Sequence, residues 1–188
     1  MIEYIIEIDK ALFIYLNNLG VDSWDFFWIM LSNRNSIFLF VSCVFIFHCY
    51  KNPTKWFYIL FPFIICVGLV DFLHVELFKN VFMRLRPCWE SDILPQIRAN
   101  LVDCGGQYGF ISGHASNASA IATFFIFSFH NMSKYFKYFL WFWVLLVSYS
   151  RIYLAKHYPM DVLCGIIFGF LIAFFVFQLY KNMSKKMK

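Results

Sequence analysis

The stretch YSRIYLAKHYPMD, Tyr149 to Asp161, decides how the rest of the chain is read. It sets Arg151, Lys156, His157 and Asp161 between two runs that are almost pure hydrocarbon, YFLWFWVLLV before it and VLCGIIFGFLIAFFVF after it. Ionisable groups are costly inside a bilayer and persist there for a function. The stretch therefore reads as a polar turn at a membrane edge, joining two spans.

Composition supports a membrane solvent. Of 188 residues, 61% are hydrophobic, 23% aromatic and only 14% charged, against about a quarter charged in soluble domains. The length suits a single domain, residues 1–188. Five apolar runs stand out: Trp24–Tyr50 with a polar SNRN knot, Trp56–Phe78, Ala115–His130, Phe136–Tyr149 and Pro159–Tyr180. A spanning helix needs about 20 residues. The third and fourth runs must borrow from their flanks, which carries Ser112-Gly113-His114 and Ser150-Arg151 to the membrane edge.

The cations give the orientation. Lys51 and Lys55, then Lys134 and Lys137, then Lys181, Lys185, Lys186 and Lys188 lie in three segments without an acidic residue. Five spans put all three on one side, which the positive-inside rule makes cytoplasmic. The net charge of +5 then reflects orientation, and nucleic acid is not expected as a partner. Residues 79–113 and 150–158 fall on the outer side, and 181–188 form a cytoplasmic basic tail. Residues 1–22 carry Glu3, Glu7 and Asp9 among apolar positions and lack a signal-peptide pattern. They read as a helix lying in the outer interface, with a sixth span as the alternative. The fold expected is an all-α integral-membrane bundle. Cys88 and Cys104 share the outer loop, where a bridge and two free thiols are both open. Cys43, Cys49, Cys66 and Cys164 sit in apolar runs and behave as small hydrophobes.

Three polar constellations gather on the outer side. His157 and Asp161, four apart, stack on one helix face if a helix starts near Tyr158, with Pro159 in its first turn. The carboxylate then fixes the imidazole tautomer and leaves the other nitrogen as nucleophile or base. FISGHASNASA reads as a helix start with Ser112 as cap, an anion site in Gly113 and the first N–H groups, and His114 as proton donor. KNVFMRLRP supplies Lys79 and Arg86, which together with Arg151 suit a dianionic group. Arg84 and Arg98 read as side chains reaching up to lipid headgroups. No carboxylate cluster or Cys/His spacing suggests a metal. This chemistry fits metal-free phosphoryl transfer, with cations on the phosphoryl oxygens, one histidine attacking and the other protonating the leaving oxygen.

These motifs resemble the membrane type-2 phosphatidic acid phosphatases, which share an active site with the vanadium haloperoxidases. The resemblance rests on Lys79-x6-Arg86-Pro87, Ile111-Ser112-Gly113-His114 and Ser150-Arg151-x5-His157-x3-Asp161. It covers roughly residues 50–180, and Ile111 stands where the family has proline. It implies a haloperoxidase-like active-site core in which Lys79, Arg86, Ser112, Gly113 and Arg151 hold the phosphoryl group. His157 would form a phosphohistidine, Asp161 orient it and His114 protonate the leaving group, with no cofactor. The haloperoxidase activity needs vanadate and a soluble protein, which the apolar runs oppose.

Among family members the chain resembles small bacterial undecaprenyl-diphosphate phosphatases. That lipid is the expected substrate, with phosphatidylglycerol phosphate and lipid A phosphates as alternatives. The active site would face the periplasm from the inner membrane. A non-catalytic lipid-phosphate binder or transporter is the competing class; it would not need His114, His157 and Asp161 together. Arg34 reads as headgroup-facing or as a contact to a second phosphate or sugar. Asp71 reads as a residue that supports the site or packs helices.

Overall fold

The structure is a computed structural model that describes residues 2–51, 56–129 and 132–186. Eight helices appear among these residues, with no strand: α1 Ile2–Asn18, α2 Asp25–Ser32, α3 Arg34–Lys51, α4 Trp56–His74, α5 Asn80–Phe82, α6 Gly113–Ser128, α7 Lys134–Tyr153 and α8 Pro159–Lys186. Lys55 and Lys188, expected on the cytoplasmic side, fall outside the described residues.

The bundle is built around α6. Its first half, GHASNASA, is nearly all small residues, and most of them are buried. On the facing side, α8 supplies Gly165 and Gly169. A Cβ at Gly165 would meet the Ser112 carbonyl oxygen at 2.7 Å, and one at Gly169 would meet the Ser116 carbonyl oxygen at 2.0 Å. The two backbones therefore touch, as small residues permit between helices in lipid. The seam is tied by Ser119 Oγ, which donates to the Ile166 carbonyl at 2.7 Å. Below it, Phe124, Phe125, Leu140, Val144 and Val147 close the core with α4 and α7.

The outer faces of the bundle are apolar. Phe38, Phe61 and Tyr138 are 73%, 68% and 68% exposed. A water-facing surface does not carry such residues in contiguous bands. Two helical stretches are long and apolar enough to cross a membrane, Tyr58–Phe82 and Pro159–Met183, and the bent pair Asp22–Ser32 with Arg34–Tyr50 makes a third.

That bent pair differs from the single run expected over Trp24–Tyr50. The chain turns by 61° at the SNRN knot. Asn33 leaves the helix with ψ 132°, and its side chain accepts the Asn35 N–H at 2.8 Å. An asparagine competes for backbone donors in this way and favours a cap over helix interior. The bend turns the carboxyl end of α2 inward, which places Ser32 among buried polar groups.

The N-terminal helix ends at Asn18, earlier than the 1–22 segment expected, and packs against α7 and α8. Asn17, fully buried, donates to the carbonyls of Ile152 and Tyr153 and accepts the Arg98 N–H at 2.7 Å. Lys10 pairs with Glu90 at 2.8 Å. Arg98 does not reach for headgroups. It pairs with Asp22 and Asp25 and lies over the Tyr153 ring, because those carboxylates, in the turn before α2 and at its first residue, stand within its reach.

Residues 79–113 form a structured loop. It leaves the span through a π-helical turn, Val75–Lys79, and α5, then reverses at Met83 with φ 44°. Leu85 and Tyr108 form an isolated antiparallel bridge, and Cys88 and Cys104 are joined in a disulfide with Cα atoms 6.0 Å apart.

The α6–α8 seam leaves no room at Gly169. The variant Gly169→Ala is expected to lose about 1–3 kcal/mol of stability through overpacking, read as a lower unfolding midpoint in detergent; an unchanged midpoint would show that the helices can separate freely.

Candidate active site

Two helix starts and one helix end meet at one rim of the bundle. Ser112 caps α6, accepting the Ala115 N–H at 3.5 Å, and its own N–H donates to the Asp161 carbonyl at 2.9 Å. Pro159 opens α8, and Asp161 sits in its first turn with Oδ2 accepting the Tyr158 N–H at 2.9 Å. This is a carboxylate reaching back over a helix start, as in a capping box. At the end of α7, Ala155 takes the left-handed conformation with φ 54°. The N–H groups of Lys156 and His157 then both donate to the Arg151 carbonyl, at 2.9 and 3.3 Å. This tight reversal, made without glycine, sets His157 beside Asp161.

His157 and Asp161 are 2% and 0% exposed, and His157 Nδ1 lies 3.6 Å from Asp161 Oδ2. Gly109 forms the neighbouring wall. A Cβ there would meet Arg86 Cγ at 3.0 Å, Asp161 Oδ2 at 3.4 Å and His157 Nδ1 at 3.5 Å. Burial first, then the charges of Arg151, Arg86 and Lys79, push the His157 imidazole well below its ordinary value of 6.5. The ring is neutral and surrounded by cations. Burial and the same two arginines bring Lys156 down to about 8.

Arg86 is pinned by backbone oxygens: its Nη1 donates to the Cys104 carbonyl at 2.6 Å and its Nε to the Tyr108 carbonyl at 3.2 Å. Burial lowers its pKa, with Asp161 and Asp103 opposing. Arg151, 5% exposed, donates through Nη1 to the Ser32 hydroxyl, and its Nε is buried without a hydrogen-bond partner. His114 Nε2 lies 3.1 Å from the Ser32 carbonyl oxygen. A carbonyl only accepts, so Nε2 carries the proton there. Gly113 lies against His74, whose Nε2 a Cβ would meet at 2.6 Å. Ile111, in the family's proline position, is fully buried, and Ser112 is equally buried; the loop entering α6 is held without proline.

All eight residues singled out for catalysis and phosphate binding thus belong to one rim of the bundle. Arg84 departs from its reading. It pairs with Asp161 Oδ1 at 2.8 Å and with Asp9 Oδ2 at 2.7 Å, since two carboxylates on converging helix segments outcompete headgroups. Asp71 has a partner, accepting from Asn117 Nδ2 of α6 at 2.7 Å. Arg34 is exposed at the first position of α3. Asp9, Ser32, Gly109 and Tyr158 were not legible as site residues. Only Gly109, two residues before the ISGH motif, carried a local signal, since glycine marks close backbone approach. Among the described residues no group of three or more His, Cys, Asp or Glu side chains could hold a metal ion.

Comparison with known proteins agrees with this geometry. The lipid A 4'-phosphatase of Porphyromonas gingivalis is 34% identical over 95% of this chain and 75% of its own length. The lipid A 4'-phosphatase of Bacteroides thetaiotaomicron is 28% identical over 90% of this chain and 75% of its own. The crystal structure of Aquifex aeolicus LpxE superposes with a TM-score of 0.69 at 25% identity, covering 90% of this chain and 94% of that one. A phosphatidylglycerolphosphate phosphatase from Bacillus subtilis gives the same TM-score at 23% identity, covering 98% and 88%, and bears on the fold alone. Residues 57–185, which carry all three motifs, match the PAP2 superfamily, and the chain belongs to it.

Proposed function

We propose that this integral-membrane lipid phosphatase removes a phosphate monoester from the sugar head of a lipid A-type glycolipid. The observation that carries the reaction is the neutral, buried His157 imidazole facing Arg86, Arg151 and Lys79. The choice of lipid is supported by the two lipid A 4'-phosphatases similar over nine-tenths or more of the chain. Undecaprenyl diphosphate, the substrate favoured on motif alone, has no comparable support and becomes the comparison substrate. An apolar cleft of about 240 Å³, lined by Leu31, Ser36, Phe40, Trp143 and neighbours, suits an acyl chain.

The steps follow from the geometry. With Nδ1 turned to Asp161, His157 attacks phosphorus through Nε2 as the bond to the sugar oxygen breaks. Arg86, Arg151, Lys79 and the N–H groups at the start of α6 take the charge on the equatorial oxygens. His114 enters the step as an imidazolium, protonated as the anionic phosphate binds; with its Nε2–H on the Ser32 carbonyl it gives the Nδ1 proton to the leaving oxygen. Water then attacks the phosphohistidine, His114 recovers a proton from it, and inorganic phosphate leaves.

For the membrane arrangement we adopt five spans: the bent pair α2–α3, then α4, α6, α7 and α8, with α1 at the outer interface. The rim bearing the site faces the periplasm and the C-terminus the cytoplasm. Lys134 and Lys137 at the start of α7, opposite that rim, support this orientation.

Purified protein is expected to release phosphate from lipid A faster than from undecaprenyl diphosphate, with no loss in chelator. Release from undecaprenyl diphosphate alone would overturn the lipid assignment, and loss of activity in chelator would overturn the metal-free route. The variant His157→Ala is expected to lose turnover with its unfolding midpoint retained, and His114→Ala to lose about 10²–10⁴-fold, the usual worth of a general acid.

The charge state of His157 is separately measurable. Its pKa is lowered, so the neutral nucleophile persists as pH falls through 6.5 and is lost only well below it. Histidine ¹⁵N NMR in detergent should show that ring titrating well under 6.5; a midpoint at 6.5 or above would contradict the site's electrostatics.

A further inference from the structure

Asp161 must hold one carboxylate oxygen toward His157 while buried. Its Oδ2 accepts from the Tyr158 N–H and faces His157 Nδ1. Its Oδ1 is taken by Arg84 Nη1 at 2.8 Å. The other terminal nitrogen of Arg84 donates to Asp9 Oδ2 at 2.7 Å, and Asp9 Oδ1 accepts the Met160 N–H in the first turn of α8 at 2.9 Å. The guanidinium lies 4.1 Å from the centre of the Tyr158 ring, whose hydroxyl donates to Glu90. Both terminal nitrogens of Arg84 are therefore occupied by carboxylates, whereas Arg86 donates to backbone carbonyls and Arg151 to a hydroxyl.

We propose that Asp9 and Arg84 form a clamp that positions Asp161, and through it the His157 nucleophile. Arg84 fixes the carboxylate rotamer by holding Oδ1. Asp9 fixes Arg84 and the first turn of α8 at once. Asp9 lies on α1, outside the 57–185 segment that matches the superfamily, so the N-terminal helix completes the catalytic apparatus. A fork with two donors aimed at two carboxylates needs arginine; lysine offers a point charge and cannot hold that geometry.

The kinetic arm of the test rests on the lipid phosphatase reading above, and the spectroscopic arm does not. In full-length protein in detergent, Arg84→Gln is expected to lower kcat on the order of 100-fold, as small misplacements of reacting groups do, with KM unchanged. Asp9→Asn, nearly isosteric, is expected to lower kcat less, and the double variant to fall no further than Arg84→Gln alone, because the two residues act as a unit. Full kcat in both single variants, or a rise in KM with kcat retained, would overturn the clamp. Histidine NMR supplies the second arm: wild type should hold His157 in one tautomer, with the proton on Nδ1, and Asp9→Asn and Arg84→Gln should show a mixture. An unaltered tautomer in the variants would also overturn it. Where Arg84→Gln does not fold, Asp9→Asn decides by both readings. If wild type acts on no lipid phosphate, the substrate assignment fails and the tautomer measurement still decides the clamp.

Discussion

The site depends on how closely two helix starts can approach. Ser112 at the head of α6 and Asp161 at the head of α8 are joined by one backbone hydrogen bond. That bond exists because Gly165 and Gly169 let α8 lie against the α6 backbone. Lipid offers no hydrophobic reason for helices to associate, so close contact between small residues has to do the work. Side chains at either glycine would move the capped start of α6, which carries His114, away from the turn that carries His157. Core packing and active-site geometry are here the same constraint.

Electrostatics set the second condition. The rim concentrates Lys79, Arg84, Arg86, Arg151 and Lys156 around buried Asp161 and Asp9. Burial works against the charge on Arg84, yet Asp161 and Asp9 outweigh it and hold the guanidinium above its ordinary pKa. Breaking such a buried pair from one side typically costs about 3–5 kcal/mol. The remaining cations lack carboxylate partners of that quality. Arg86 leans on carbonyl dipoles and Arg151 on a hydroxyl, contacts that leave their charge available to an anion. The distinction between structural and substrate-facing cations is thus one of partner type.

Much of this was legible in the chain. The apolar runs gave the helices, and the three spaced motifs marked Lys79, Arg86, Ser112, Gly113, His114, Arg151, His157 and Asp161 as neighbours before any coordinates. What escaped was contributed across long sequence distances. Asp9 sits 152 positions before Asp161, and no local pattern ties them. Arg84 and Arg98 read as interfacial because an arginine near a helix end has headgroups within reach by default; only the folded bundle supplies better partners, Asp9 and Asp161 for one and Asp22 and Asp25 for the other. Ser32 was hidden because a polar knot in an apolar run does not say which way the chain will bend. Helix starts are legible where local chemistry marks them, as Ser112 capping α6 and Pro159 opening α8 do. The break inside Trp24–Tyr50 was read as one span because length alone permitted it.

The placement of Asp9 has a consequence for biosynthesis. Helix α1 finds its partners, Arg84 and the opening turn of α8, only after the segments between them have been threaded into the bilayer. Under the proposed clamp the nucleophile gains its fixed orientation only when α1 meets α8, so full turnover waits on that contact.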